Sequence, residues 1–303
     1  MRAALLTEYG SSDKLEIRDV AEPEPGPGEV KVRVAASSIN PIDYWMRSGR
    51  LQNQFPLALP AILGRDASGE VVALGHGVTS LRVGSKVLGL VNRAHAEYVV
   101  ASEDTWAELP PSLDLVDAAA LPLVALTGWQ LIDEAVRPRS GDVVLVAGAL
   151  GGVGRAAVFA AVARGAKVLA GVRRQRKVDA KKLGVVDTVA LDDDSEVERT
   201  PQLDAIANAM TPGPTFPRLL HKVKPGGTIG SVTGEPAGAK EMGLVVRAHV
   251  VHPDSRRLAQ LARAAADGSL VIPIAMRVPF AQIREAHSLA EKGAEGKVVL
   301  RMQ

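Results

Sequence analysis

No cysteine occurs among the 303 residues, which excludes disulfides and thiolate metal sites and fits a reducing compartment. Aromatic residues make up only 3%, too few for nucleic-acid binding that relies on stacking platforms. No stretch approaches the roughly 20 uninterrupted apolar residues needed to span a bilayer. The opening "MRAALLTEYG" lacks the apolar core and cleavage site of a signal peptide. Excess charge is also small: 36 basic and 34 acidic residues leave a formal net charge of +2, no argument for a polyanionic partner. The expectation is a soluble, cytoplasmic protein without nucleic-acid or membrane partners. Hydrophobic residues at 47% suffice for a real core, and the length allows one large domain or two ordinary ones.

What is present changes character along the chain. The first third reads as short β-strands: "EVKVRVAAS" (Glu29–Ser37) alternates at period two after the turn-rich "EPEPGPG", and "SGEVVALG", "GSKVLGLV" and "HAEYVVA" come next. From about Asp117 the texture turns helical, and then strands alternate with helices. Strands are predicted at Val143–Ala147, Lys167–Val172, Thr188–Leu191, Asp204–Ala207, Thr228–Val232 and Val245–Val251. Helices are predicted at Val153–Ala163, Gln175–Leu183, Phe216–Val223 and Ser255–Ala266. Alternating β and α elements with right-handed crossovers imply a doubly wound parallel sheet covered on both faces. The tail, "SLVIPIAMRV" through "GKVVLRM", returns to β texture and reads as rejoining the first β unit.

The most informative stretch is "VVLVAGALGGVGRAA" (Val143–Ala157), where a buried strand runs into glycines and then a helix. Gly148, Gly151 and Gly154 make G-x-x-G-x-x-G, with Ala149 in the place of the first glycine of the usual G-x-G-x-x-G fingerprint. Glycines through Gly152 give a tight turn that admits a pyrophosphate, Gly154 lets the helix pack closely, and the helix N-terminus from Val153 presents free N–H groups to phosphates. A plain βα turn is the alternative; the six alternating strands favour a dinucleotide site. Sites for NAD place an acid after the second strand, about 20 residues past the glycines. Here that region reads "GVRRQRK", with no acid before Asp179. Arg173 and Arg174 stand where a 2′-phosphate would lie, with Arg176 and Lys177 close behind. A solvated charge run is the alternative, but cations at a helix N-terminus oppose its dipole unless an anion binds there. NADPH is the expected cofactor.

These motifs occur in an order that resembles the zinc-independent medium-chain dehydrogenase/reductase superfamily, in its quinone oxidoreductase branch, over nearly the whole chain. "ASSINPIDYWMRSG" is similar to the Asn-Pro-x-Asp segment, "PAILGRDASGEVVALG" to the Gly-x-Asp-x-x-Gly block, and "HAEYVV" to the Ala-Glu-Tyr strand. "LPLVALTGWQ", "GALGGVG", "KPGGTIGSVTG" and "GKVVL" complete the series. The resemblance implies a GroES-like antiparallel β-barrel catalytic domain (residues 1–119 and 270–303) and a Rossmann domain (residues 120–269), with the active site between them. It also implies reduction of an electrophilic small molecule, a quinone or an enone. It places Asn40 and Thr127 near the nicotinamide and its ribose, Gly230, Ser231 and Val232 beside the ring, and Lys297 near the site, on a cofactor phosphate. Tyr44 is a candidate hydrogen-bond donor to the substrate oxygen; a tyrosine packed with its hydroxyl capped is the alternative. Family members are often dimers along the edge of the Rossmann sheet, so a homodimer is among the expected assemblies.

Zinc-using relatives carry a His–Glu pair where Arg65–Asp66 stands here, and four further cysteines that this chain lacks. His249 and His252, three apart in a predicted strand, fall on opposite faces, so no metal is expected. Trp45 stands where quinone reductases tend to have a tyrosine, Leu51 replaces a second one, and Asp192 replaces a tyrosine near the adenine. Two other readings stay open: a zinc-free alcohol dehydrogenase, and a non-catalytic NADPH-binding sensor or structural protein.

Overall fold

The computed structural model describes residues 1–302 and divides into two compact units, one of them Val124–His252, the other Met1–Leu123 with the chain from Pro253 onward. In the Val124–His252 unit six strands form one sheet: β1 (Val143–Ala147), β2 (Lys167–Val172), β3 (Asp187–Ala190), β4 (Leu203–Asn208), β5 (Val223–Ser231) and β6 (Val245–Ala248). All pairings are parallel. The order β3-β2-β1-β4-β5-β6 is that of a doubly wound Rossmann sheet, with its switch point between β1 and β4.

The "VVLVA" of β1 shows no polar alternation because both of its faces are covered. Val144 and Val146 pack with Leu131, Ala157 and Val158; Leu145 and Ala147 pack on the other side with Ile206, Phe216 and Leu219. Continuous apolar runs are the mark of such strands, and each buried Val or Leu contributes about 1.5–3 kcal/mol.

Tertiary pairing overrides local pattern in three places. The helix expected at Gln175–Leu183 is a 3-10 turn, Arg174–Arg176, and then a short helix, Lys177–Lys181, with the Arg174 N–H drawn to Asp192 Oδ1 at 2.7 Å. The helix beginning at Phe216 stops at Leu220, since Val223 pairs with Leu203 in the sheet. The strand expected to reach Val251 ends at Ala248, ahead of Pro253, which has no N–H for a ladder. His249 and His252 therefore do not alternate across a strand: His249 Nε2 lies 3.3 Å from Gln130 Oε1 and His252 Nε2 3.0 Å from Glu134 Oε1.

The other unit is built mainly of antiparallel strands around an eleven-residue spine, Glu29–Ile39. Asp66–Leu74 pairs along one side; Tyr98–Ser102 pairs with residues Glu29–Arg33, and Lys297–Arg301 with Ala36–Ile39. Ile274–Pro279, Lys86–Leu90 and Trp106–Glu108 complete the sheet, and Leu15–Asp19, Arg2–Leu6 and Ala61–Ile62 form a second one. The tail thus rejoins the N-terminal β unit, as its texture predicts. Ser255–Ala266, which buries Leu258, Leu261 and Ala262, belongs to this unit too, beside Trp106–Glu108. The unit boundaries fall at 123/124 and 252/253, where the sequence places them at 119/120 and 269/270. Among the described residues no helix is long and apolar enough to cross a membrane.

Candidate functional site

The chain leaves β1 and turns at Gly148, whose φ of +79° is a conformation that favours glycine. The N–H groups of Gly148 and Ala149 donate to the Gly171 carbonyl near the end of β2, at 2.9 and 3.2 Å, which docks the loop on the neighbouring strand. Gly151 is extended and caps the helix Gly152–Ala163. Gly154 has no space for a side chain, because a Cβ would lie 2.0 Å from the Gly148 carbonyl oxygen. Gly151 is exposed, and Gly152 and Val153 are partly so. A bare backbone loop at a helix N-terminus, its first N–H groups without intrahelical acceptors, fits a dinucleotide pyrophosphate.

A glycine that the motif reading passes over, Gly128, locates Thr127. A Cβ on Gly128 would lie 2.3 Å from the Val153 carbonyl oxygen, so the backbone beside Thr127 rests directly on the helix of the loop. A lone glycine inside a helical pattern is the signal for such a close approach. Thr127 itself is 6% exposed. At the end of β5, Gly230 faces Val136, whose Cγ2 would be 2.7 Å from an added Cβ. The buried Ser231 hydroxyl accepts from Asn208 Nδ2 at 3.1 Å, and the Val232 N–H donates to the Asn208 carbonyl at 3.1 Å.

After β2 the cation cluster is partly neutralised from within. Arg174 Nη1 lies 3.0 Å from Asp193 Oδ2, Lys177 Nζ 2.5 Å from Glu196 Oε2, and Arg176 Nε 2.9 Å from Asp179 Oδ2. The Lys177 ammonium holds Glu196 below the usual carboxylate range. Arg173, exposed, makes no ion pair among the described residues. The sequence reading missed Arg155, on the first turn after the glycines: half-buried, it donates from Nε to the Leu150 carbonyl of the loop at 3.1 Å.

In the other unit Asn40, Lys297 and Asp66 form one buried network. Asp66 is fully buried. Its Oδ2 accepts from Ser38 Oγ at 2.5 Å, Asn40 Nδ2 at 2.8 Å and Lys297 Nζ at 3.3 Å, and its Oδ1 from the Leu123 N–H at 2.6 Å. Lys297 Nζ also donates to the Ile39 carbonyl at 3.2 Å and to Asn40 Oδ1. All three of its protons thus have acceptors inside this unit, and Asn40 is held through both ends of its carboxamide. Asp43, next on the helix Pro41–Arg47, accepts from the Asn40 N–H at 2.8 Å; burial pushes its carboxyl up to about 7. Beneath them His95 and His287 stack edge to face, ring centroids 5.4 Å apart, and burial pushes His95 down to about 4. Tyr44, half-buried, sets its ring edge-on to Trp45 with centroids 6.0 Å apart.

A catalytic zinc does not fit these residues. Arg65 is a cation with Nε on the Val91 carbonyl at 3.2 Å, and the Asp66 carboxylate is already occupied by four donors. Among the described residues no group of three or more His, Cys, Asp or Glu side chains is placed to hold a metal.

Comparison with known proteins returns two family models. The alcohol dehydrogenase GroES-like domain matches residues 26–111, and the zinc-binding dehydrogenase model matches residues 183–300. Rat quinone oxidoreductase is 35% identical over 172 residues, 56% of this chain and 52% of that protein. The matches cover 37–55% of the length of such curated relatives. Solved structures align over the whole length. The quinone oxidoreductase from Coxiella burnetii is 29% identical with a TM-score of 0.89, covering 100% of this chain and 99% of that one. An NAD-dependent alcohol dehydrogenase is 30% identical with a TM-score of 0.85, covering 100% of both chains. A mycobacterial protein complexed with NADPH is 26% identical with a TM-score of 0.84, covering 99% of this chain and 100% of that one.

Proposed function

Because this chain belongs to the medium-chain dehydrogenase/reductase superfamily, a family of NAD(P)-binding oxidoreductases, we propose that it is a cytoplasmic NADPH-dependent reductase of quinones or enones that works without zinc. Bound NADPH would supply the hydride. An enone or quinone is already electrophilic, so the protein's part is to hold cofactor and acceptor in register and to stabilise the developing oxyanion. The loop Gly148–Val153 would take the pyrophosphate, with Gly230, Ser231 and Val232 beside the ring. Asn40, fixed by Asp66 and Lys297, and Thr127 would contact the nicotinamide and its ribose. Tyr44 would donate to the acceptor oxygen. Lys297 would act through Asn40, its ammonium held by internal acceptors. As a homodimer, the chain would use β6, the last strand in the sheet order, where Val245 and, just beyond, Val250 are 40% and 71% exposed.

The observation that carries the cofactor choice is Arg173, exposed and without a carboxylate partner among the described residues, where an NAD site would have its acid. The other cations here, Arg174, Arg176 and Lys177, share their charge with Asp193, Asp179 and Glu196. Charge-assisted hydrogen bonds contribute about 1.5–3 kcal/mol each. Replacing Arg173 and Arg174 by Ala should therefore raise KM for NADPH about tenfold or more and leave that for NADH nearly unchanged, with Arg173→Ala alone accounting for most of it. Steady-state kinetics with both cofactors at fixed salt tests this; equal use of NADH by the unmodified protein would falsify it.

The likeness to an NAD-dependent alcohol dehydrogenase favours alcohol oxidation as the second reading. That reaction needs a Lewis acid or a base, whereas Asp66 already serves four donors and His95 and His287 are buried. The purified protein should carry no stoichiometric zinc, and chelators should leave NADPH oxidation unchanged. One zinc per chain by elemental analysis, with activity lost on its removal, overturns this part of the reading.

A further inference from the structure

We propose that Arg155 binds the 2′-phosphate of the cofactor together with Arg173 and Arg176, an inference that rests on the NADPH reading. Three observations lead there. Arg155 sits on the first turn of Gly152–Ala163, and the loop before that helix is hydrogen-bonded to Gly171 near the end of β2. Its side chain reaches the Leu150 carbonyl of the glycine loop, and Arg176 and Asp179 are near enough to act on its charge. Its guanidinium is half-buried and anchored through Nε to the Leu150 carbonyl, a neutral acceptor that leaves the charge uncompensated. Among the described residues Arg155 has no carboxylate in ion-pair range, whereas Arg174, Arg176 and Lys177 each have one.

Its surroundings make that isolation unfavourable. Burial, and then the neighbouring Arg176, push the Arg155 guanidinium below its ordinary range; Asp179, held by Arg176, offsets only part of this. A half-buried cation beside a second cation, on a helix turn whose dipole is positive, lacks an anion. A phosphate monoester supplies close to two negative charges and oxygens that guanidinium groups bind in pairs.

The experiment is calorimetric titration of adenosine 2′,5′-bisphosphate and of 5′-AMP, which differ only in the 2′-phosphate. The unmodified protein should bind the bisphosphate more tightly. Arg155→Gln should weaken the bisphosphate roughly 10- to 100-fold and leave 5′-AMP unchanged, while Arg155→Lys, which keeps the charge, should recover part of the loss. Equal weakening of both ligands, or full discrimination retained by Arg155→Gln while Arg173→Gln abolishes it, overturns the role of Arg155. An unmodified protein that does not distinguish the two ligands overturns the NADPH reading itself.

Discussion

Asp66→Leu should destabilise the protein by about 3–5 kcal/mol, the loss seen when one partner of a buried ion pair is removed. The carboxylate is fully buried and accepts from Ser38, Asn40, Lys297 and the Leu123 N–H. Without it the Lys297 ammonium, 7% exposed, keeps only the neutral Ile39 and Asn40 oxygens. The double replacement Asp66→Leu/Lys297→Met removes the uncompensated charge and should recover part of the loss, the Ser38, Asn40 and Leu123 donors still lacking their acceptor. Urea denaturation of the single and double variants at neutral pH measures both. A single variant as stable as the unmodified protein sinks this account of the network, and so does a double variant no better than the single.

Turnover should fall about 10²–10³-fold in Tyr44→Phe, the range for removing one oxyanion donor. Burial, and after it the charges of Glu291 and Asp43, pushes the Tyr44 phenol above its ordinary value, with Arg50 opposing, so the hydroxyl keeps its proton at neutral pH. No hydrogen bond to another described residue holds that hydroxyl, and the ring is secured by packing against the core and Trp45. Removing the oxygen should therefore leave stability nearly unchanged. Single-turnover rates with NADPH and a simple enone, beside a melting curve, separate chemistry from folding. A folded variant with an unchanged rate makes Tyr44 a packing residue.

The sequence by itself determined the features that local pattern encodes. Val143–Ala147 and Lys167–Val172 fall where their apolar runs place them, as does Ser255–Ala266 where its helical period does. The glycine spacing names the loop, and Gly154 proves to be the position with no room for a side chain. Burial periodicity and backbone sterics act over a few residues, so they are written in consecutive letters. Charge pairing is not. The run "RRQRK" reads as an unopposed basic cluster, yet Lys177 meets Glu196 nineteen residues on, and Arg174 meets Asp193. Lys297, expected near the site on a cofactor phosphate, donates in this structure to Asn40 and Asp66, 257 and 231 residues away. Arg155 stands out only once the carboxylates have been assigned to the other cations. Which charge faces which was decided by strand register and by the packing of β2, β3 and the helix Asp194–Arg199, because ion pairs form between whatever the tertiary fold brings within about 4 Å, however far apart it lies in the chain.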